Sequence, residues 1–114
     1  MEFYNYIKRS NYINAPINFG HGINLSIQAS AEHECSPKEN IEDITEYETF
    51  EVLLYLQVNS DARLETLSLP SFTGLEDPPL DESSEHNWAC LNVPAEQVEE
   101  IFQTIKQKFG LKYL

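Results

Sequence analysis

The chain predicts an α+β fold: a small, mostly antiparallel sheet of three or four strands with a C-terminal helix packed on one face. Three features lead there. Apolar residues recur at spacings of three and four over residues 93–110, alternate strictly over residues 23–31, and alternate again from Tyr47 onward. At 114 residues there is room for one domain, residues 1–114, around one core.

The helix carries the most local signals. Val98, Ile101, Phe102, Ile105 and Phe109 form one apolar stripe. Pro94 suits the start, where its missing N–H costs nothing. Glu96, Glu99 and Glu100 sit toward the positive end of the helix dipole, and Lys106 and Lys108 toward the negative end. Gly110 stands where a helix needs a residue of positive φ to stop.

Upstream, residues 2–9 are aromatic-rich and fit a short helix or a strand equally well. Residues 11–22 hold Pro16, Gly20 and Gly22 among asparagines and read as loop, with His21 as a solvated loop histidine rather than a catalytic one. In the first strand Ile23, Leu25, Ile27, Ala29 and Ala31 face inward, leaving Asn24, Ser26, Gln28 and Ser30 as an uncharged polar outer face. The second strand turns Phe50, Val52, Leu54, Leu56 and Val58 inward. Its other face, with Tyr47, Leu53 and Tyr55, is more apolar than water requires, which implies a cover from the chain or a partner. Asn59 or Ser60 would cap a short helix over residues 61–69, ended by Pro70, with an edge strand as the competing reading. Residues 87–93, around Trp88, Cys90 and Leu91, return to strand character and lead into the helix.

Charge is the dominant global property. The net charge is −12, and residues 32–100 hold 18 of the 19 acids against only Lys38 and Arg63. Two acidic loops result: Glu32, Glu34, Glu39, Glu42, Asp43 and Glu46 in the first, and Glu76, Asp77, Asp81, Glu82 and Glu85 in the second. Nucleic acid and anionic membranes would be repelled, so the expected partner is a basic protein surface. No apolar run approaches the ~20 residues of a membrane span. No signal-peptide pattern opens the chain, and two cysteines are too few for a disulfide framework, so a cytoplasmic setting with reduced thiols is expected.

The candidate chemistries are weak. His33 and Cys35, with His86 and Cys90, form a set that zinc accepts, but their spacing is not that of a finger or ribbon. His33 and Glu34 are adjacent, whereas zinc deaminases need His-x-Glu and a later Pro-Cys-x-x-Cys, which is missing. Glu32 and Glu34 would raise a Cys35 thiol rather than activate it, and no glycine-rich phosphate loop occurs. No catalytic residue, metal ligand or cofactor is therefore assigned. If the first and third strands were neighbours, both acidic loops would emerge at one edge and imitate a phosphate backbone, with Tyr47, Tyr55 and Trp88 as aromatic anchors.

The stretch Ser26-Ile27-Gln28-Ala29-Ser30, then His33-Glu34-Cys35-Ser36-Pro37-Lys38, then Tyr47 and Phe50-Glu51-Val52, resembles small uncharacterised proteins of phages and mobile elements. Those proteins also open a terminal helix with Val-Pro, as Val93-Pro94 would here. The resemblance brings no catalytic residues. It implies a setting in which small acidic inhibitors of host defence, anti-CRISPR proteins among them, are common. The expectation is a non-enzymatic, anti-CRISPR-like or antitoxin-like inhibitor that uses both acidic loops to occupy the basic surface of a nucleic-acid-handling protein. The alternatives are an accessory phage protein that self-associates, as a homodimer, through the second strand's outer face, or a small zinc-binding protein.

Overall fold

A computed structural model describes residues 1–56 and 86–110. Six strands and one α-helix make up the described fold: β1 (Arg9–Ser10), β2 (Ile13–Asn14), β3 (Ile17–Gly20), β4 (Ile23–Gln28), β5 (Thr49–Leu56), β6 (His86–Pro94) and α1 (Ala95–Phe109). The last four strands form one antiparallel sheet in the order β3-β4-β5-β6, and β1 and β2 pair as a separate hairpin. The α+β expectation is met, with α1 packed across one face of the four-stranded sheet. The predicted short helix over residues 61–69 and the second acidic loop lie outside the described residues.

The core lies between that face and α1. Leu25, Ile27, Phe50, Val52 and Leu54 meet Val98, Ile101, Phe102 and Ile105 there, all essentially inaccessible to water. Each such side chain contributes about 1.5–3 kcal/mol by leaving water. Pro94 is the N-cap of α1, and Gly110 closes it at φ +76° while its N–H reaches Lys106 O. A Cβ at Gly110 would meet no neighbour, so the demand there is on the backbone alone.

The N-terminus completes this core. Residues Glu2–Tyr6 form a 3-10 helix that buries Phe3, whose ring meets Phe50 edge-on at 5.7 Å, while Tyr6 stacks on Phe102 at 5.4 Å. Glu99 supplies the missing cap: its carboxylate accepts from Glu2 N at 3.1 Å and Phe3 N at 2.9 Å. Glu2 in turn accepts from Lys106 Nζ at 2.5 Å and from Gln103 Nε2 at 2.6 Å.

Residues 11–22 are more ordered than their composition suggests. The β1–β2 hairpin turns through Asn11 and Tyr12, both at positive φ as a tight two-residue turn requires. β3 follows at once, with Ile17 and Phe19 inward. Two-residue strands are too short to show a period, which is why they read as loop.

The outer face of β4 also differs from expectation. Ser26, Gln28 and Ser30 are buried, because the hairpin lies over them. Gln28 imitates a strand neighbour for Asn14. Its Oε1 accepts from Asn14 N at 2.9 Å, and its Nε2 donates to Asn14 O at 2.6 Å and to Ser26 Oγ at 2.9 Å. Asn14 Nδ2 adds a bond to Ile27 O at 2.8 Å.

Arg9 ties this layer together. Nη1 donates to Asn14 Oδ1, and Nη2 donates to Ala29 O and Ile41 O, each at 2.9 Å, with Tyr47 Oη at 3.4 Å. Its guanidinium lies over the rings of Tyr12 and Tyr47, 5.6 and 5.7 Å from the centroids.

Two outcomes follow. Arg9→Lys removes the planar fork and should cost about 2–3 kcal/mol, read as a lower urea midpoint with an unchanged slope. The Lys106 and Gln103 bonds lower the Glu2 pKa below its ordinary 4.5. A depressed carboxyl contributes stability that is present above that ordinary value and lost as pH falls through the folded value. Glu2→Gln should therefore be less stable than the parent at pH 7, and the gap in melting temperature should narrow as the pH falls below the ordinary carboxyl value of 4.5.

Candidate functional site

The first acidic loop is built to hold its shape. Tyr47, only 2% exposed, sits beneath it. Tyr47 Oη donates to Glu39 O and accepts from Ile41 N at 2.9 Å, so residues 39–41 wrap a buried phenol. Asn40 Oδ1 accepts from Ala31 N, closing the base of the loop at 2.9 Å. Asp43 caps the short 3-10 turn Ile44–Glu46 by accepting from Thr45 N and Thr45 Oγ1. Ser36 pairs with Thr49 at the return to the sheet.

This scaffold sends the carboxylates outward. Glu32, Glu39, Glu42, Asp43, Glu46 and Glu48 are exposed, while Glu34 is half-buried and pairs with Lys38 at 3.0 Å, an exposed contact worth little in water. The end of the loop also meets the start of α1, where Ala95 N donates to Glu48 O at 3.1 Å. Half-buried Tyr4 reports the result. Burial, and then the carboxylates of Glu99, Asp43 and Glu96, push its hydroxyl above the ordinary phenol range. Acids from the loop and from the first turns of α1 thus act electrostatically on the same hydroxyl. α1's contribution went unrecognised in the sequence because Glu96 and Glu99 had a sufficient local explanation in the helix dipole.

The strand arrangement that would unite the two acidic loops does not occur. β5 separates β4 from β6, so the first and third predicted strands are not neighbours. The register also places the start of β6 level with the start of β4: Leu56 faces Ile23 on one side and His86 on the other. Glu32 follows the opposite end of β4. Glu76, Asp77, Asp81, Glu82 and Glu85 themselves lie outside the described residues. Of the expected anchors, Tyr47 is core, Tyr55 is half-buried, and the Trp88 side chain lies outside the described set.

The histidine and cysteine readings resolve into structural contacts. His33 Nδ1 lies 2.7 Å from Ser30 Oγ, which also accepts from Glu32 N at 3.0 Å. The direction of the Ser30–His33 bond depends on the imidazole tautomer, since the hydroxyl can both donate and accept. Contacts two and three residues apart lock the turn after β4. Cys35 Sγ donates to Ser30 O at 3.2 Å and Pro37 O at 3.5 Å. Burial pushes the thiols of Cys35 and Cys90 up, against a reactive thiolate. Among the described residues no group of three or more His, Cys, Asp or Glu side chains is arranged to hold a metal ion. The His86 side chain lies outside that set.

A concavity of about 440 Å³ is lined by Tyr12 and Ile13 of the hairpin, Glu32 and His33 after β4, and Glu51 and Tyr55 of β5. No helix of the described residues is long and apolar enough to cross a membrane.

No family model, curated protein or solved structure matches this chain.

Both thiols should react with a disulfide reagent such as DTNB at least ~10-fold more slowly in the native protein than in urea, since both are buried and Cys35 is hydrogen-bonded inward. Rapid modification of one thiol in the folded protein would contradict that assignment.

Proposed function

We propose that the protein is a non-enzymatic binding module that occupies a basic, nucleic-acid-handling surface of another protein and thereby inhibits it. The observation that carries this reading is the set of exposed carboxylates, Glu39, Glu42, Asp43 and Glu46, on a loop whose end is hydrogen-bonded to the start of α1, where Glu96 is exposed as well. A loop held by buried Tyr47 and by Arg9 presents its carboxylates with little ordering left to do on binding. The net charge of −12 steers a basic partner toward it and turns nucleic acid away. Tyr4 supplies an aromatic face suited to a partner arginine. The resemblance to phage and mobile-element proteins fits a bacterial target, in the manner of anti-CRISPR or antitoxin proteins. The second acidic loop is not needed for this version of the idea.

Neutralising the loop tests it. A combined Glu39→Gln, Glu42→Gln, Asp43→Asn and Glu46→Gln variant keeps every polar side chain, including an acceptor at the Asp43 cap. Capture from bacterial lysate should yield a protein that loses DNA or RNA binding in the complex. Retention should fall at least ~10-fold in the variant, and likewise between about 0.1 and 1 M salt, as the screening length shrinks from roughly 10 to 3 Å. A partner held equally well by the variant in high salt, or one whose nucleic-acid binding is untouched, would refute the proposal.

A further inference from the structure

The cleft over β5 is a second site, separate from the acidic surface of the loop and α1, and we infer that it binds a small organic cation such as an alkylguanidinium or arylammonium. Its size falls within the range of small-ligand pockets, roughly 300–1,000 Å³. Among its lining residues Glu32 and Glu51 are acidic, and neither lysine nor arginine is present. Tyr12 and Tyr55 add aromatic rings, the other element of sites that hold ammonium and guanidinium groups.

Glu51 is the residue that asks for a ligand. It lies on an interior strand at the last β4–β5 pair, opposite Gln28 and where the β5–β6 register shifts, and is half-buried beside residues covered by the hairpin. The surrounding polar groups are already engaged with one another. Gln28 serves Asn14 and Ser26, and Ser30 serves His33 and Glu32 N. The nearby cation, Arg9, is held by Asn14, Ala29 O and Ile41 O and does not line the cleft. A partly desolvated carboxylate in such a place is stabilised by a cation brought from outside. The carboxylate would take the charge of the ligand and the tyrosine rings its apolar body.

Titration of the full chain with butylguanidinium, phenethylammonium and choline, followed by amide NMR, tests the site, with butylurea as an uncharged isostere. At least one cation should saturate and move the amides of residues 11–13, 32–33 and 51–55, at least ~10-fold more tightly than butylurea. Glu51→Gln should weaken it at least ~10-fold, a loss of the size expected for removing a charged partner. If that variant does not give a folded spectrum, Tyr55→Leu takes its place, with an expected loss of at least ~3-fold. Absence of saturable shifts with all three cations, equal binding of butylurea, or undiminished binding by a folded variant would each overturn the inference. The neutralised loop variant described above retains Glu32 and Glu51 and should bind the cation normally, so the two proposals fail separately.

Discussion

The Arg9 guanidinium is the contact on which the outer layer of this molecule depends. One planar group reaches the hairpin through Asn14, the end of β4 through Ala29 O, and the acidic loop through Ile41 O, and lies against Tyr47 beneath that loop. A lysine has no geometry that satisfies so many acceptors at once. The arrangement is not free of cost: Arg9 Nε is buried with no hydrogen-bond partner among the described residues. Bringing two backbone carbonyls and one side-chain amide from three segments to one cation nevertheless fixes how the hairpin sits on the sheet. It also fixes where the loop leaves it.

Two surfaces of different character follow from that layer. Where the loop wraps Tyr47, backbone polar groups are satisfied inward and carboxylates are left outward, which produces a preformed negative surface extended by α1. Beside the hairpin lies a concavity lined in part by Glu51 of β5. The first is what the proposed protein partner would meet, and the second has the volume of a small-ligand pocket. The inner face of the sheet holds α1 and the N-terminal 3-10 helix, and α1 carries Glu96 to the edge of the first surface.

The legible parts of the fold were those whose explanation is local. The stripe Val98, Ile101, Phe102, Ile105 marked α1, and the alternation of Ile23, Leu25 and Ile27 marked β4. Ser26 and Gln28 were misread as solvent-facing because polarity was their only visible property, and their partners come from a hairpin too short to declare itself. Tyr47 was misread as an anchor for a related reason. A tyrosine at the edge of a strand looks the same in sequence whether its hydroxyl meets water or two backbone groups of its own loop. The acids of the first loop were recognised from composition, but the side of the molecule they share with Glu96 and Glu99 was not.

By itself, then, the sequence determined the fold class, the helix with its ends, the inner faces of the two long strands and the excess of negative charge. Periodicity and composition are properties of consecutive residues, and they suffice for these. Only the tertiary structure decided that β5 lies between β4 and β6, that Arg9 binds the outer layer, and that the end of the acidic loop is hydrogen-bonded to the start of α1. Each of those depends on hydrogen bonds or fields between residues far apart in the chain, whose energies exist only once the backbone has brought them together.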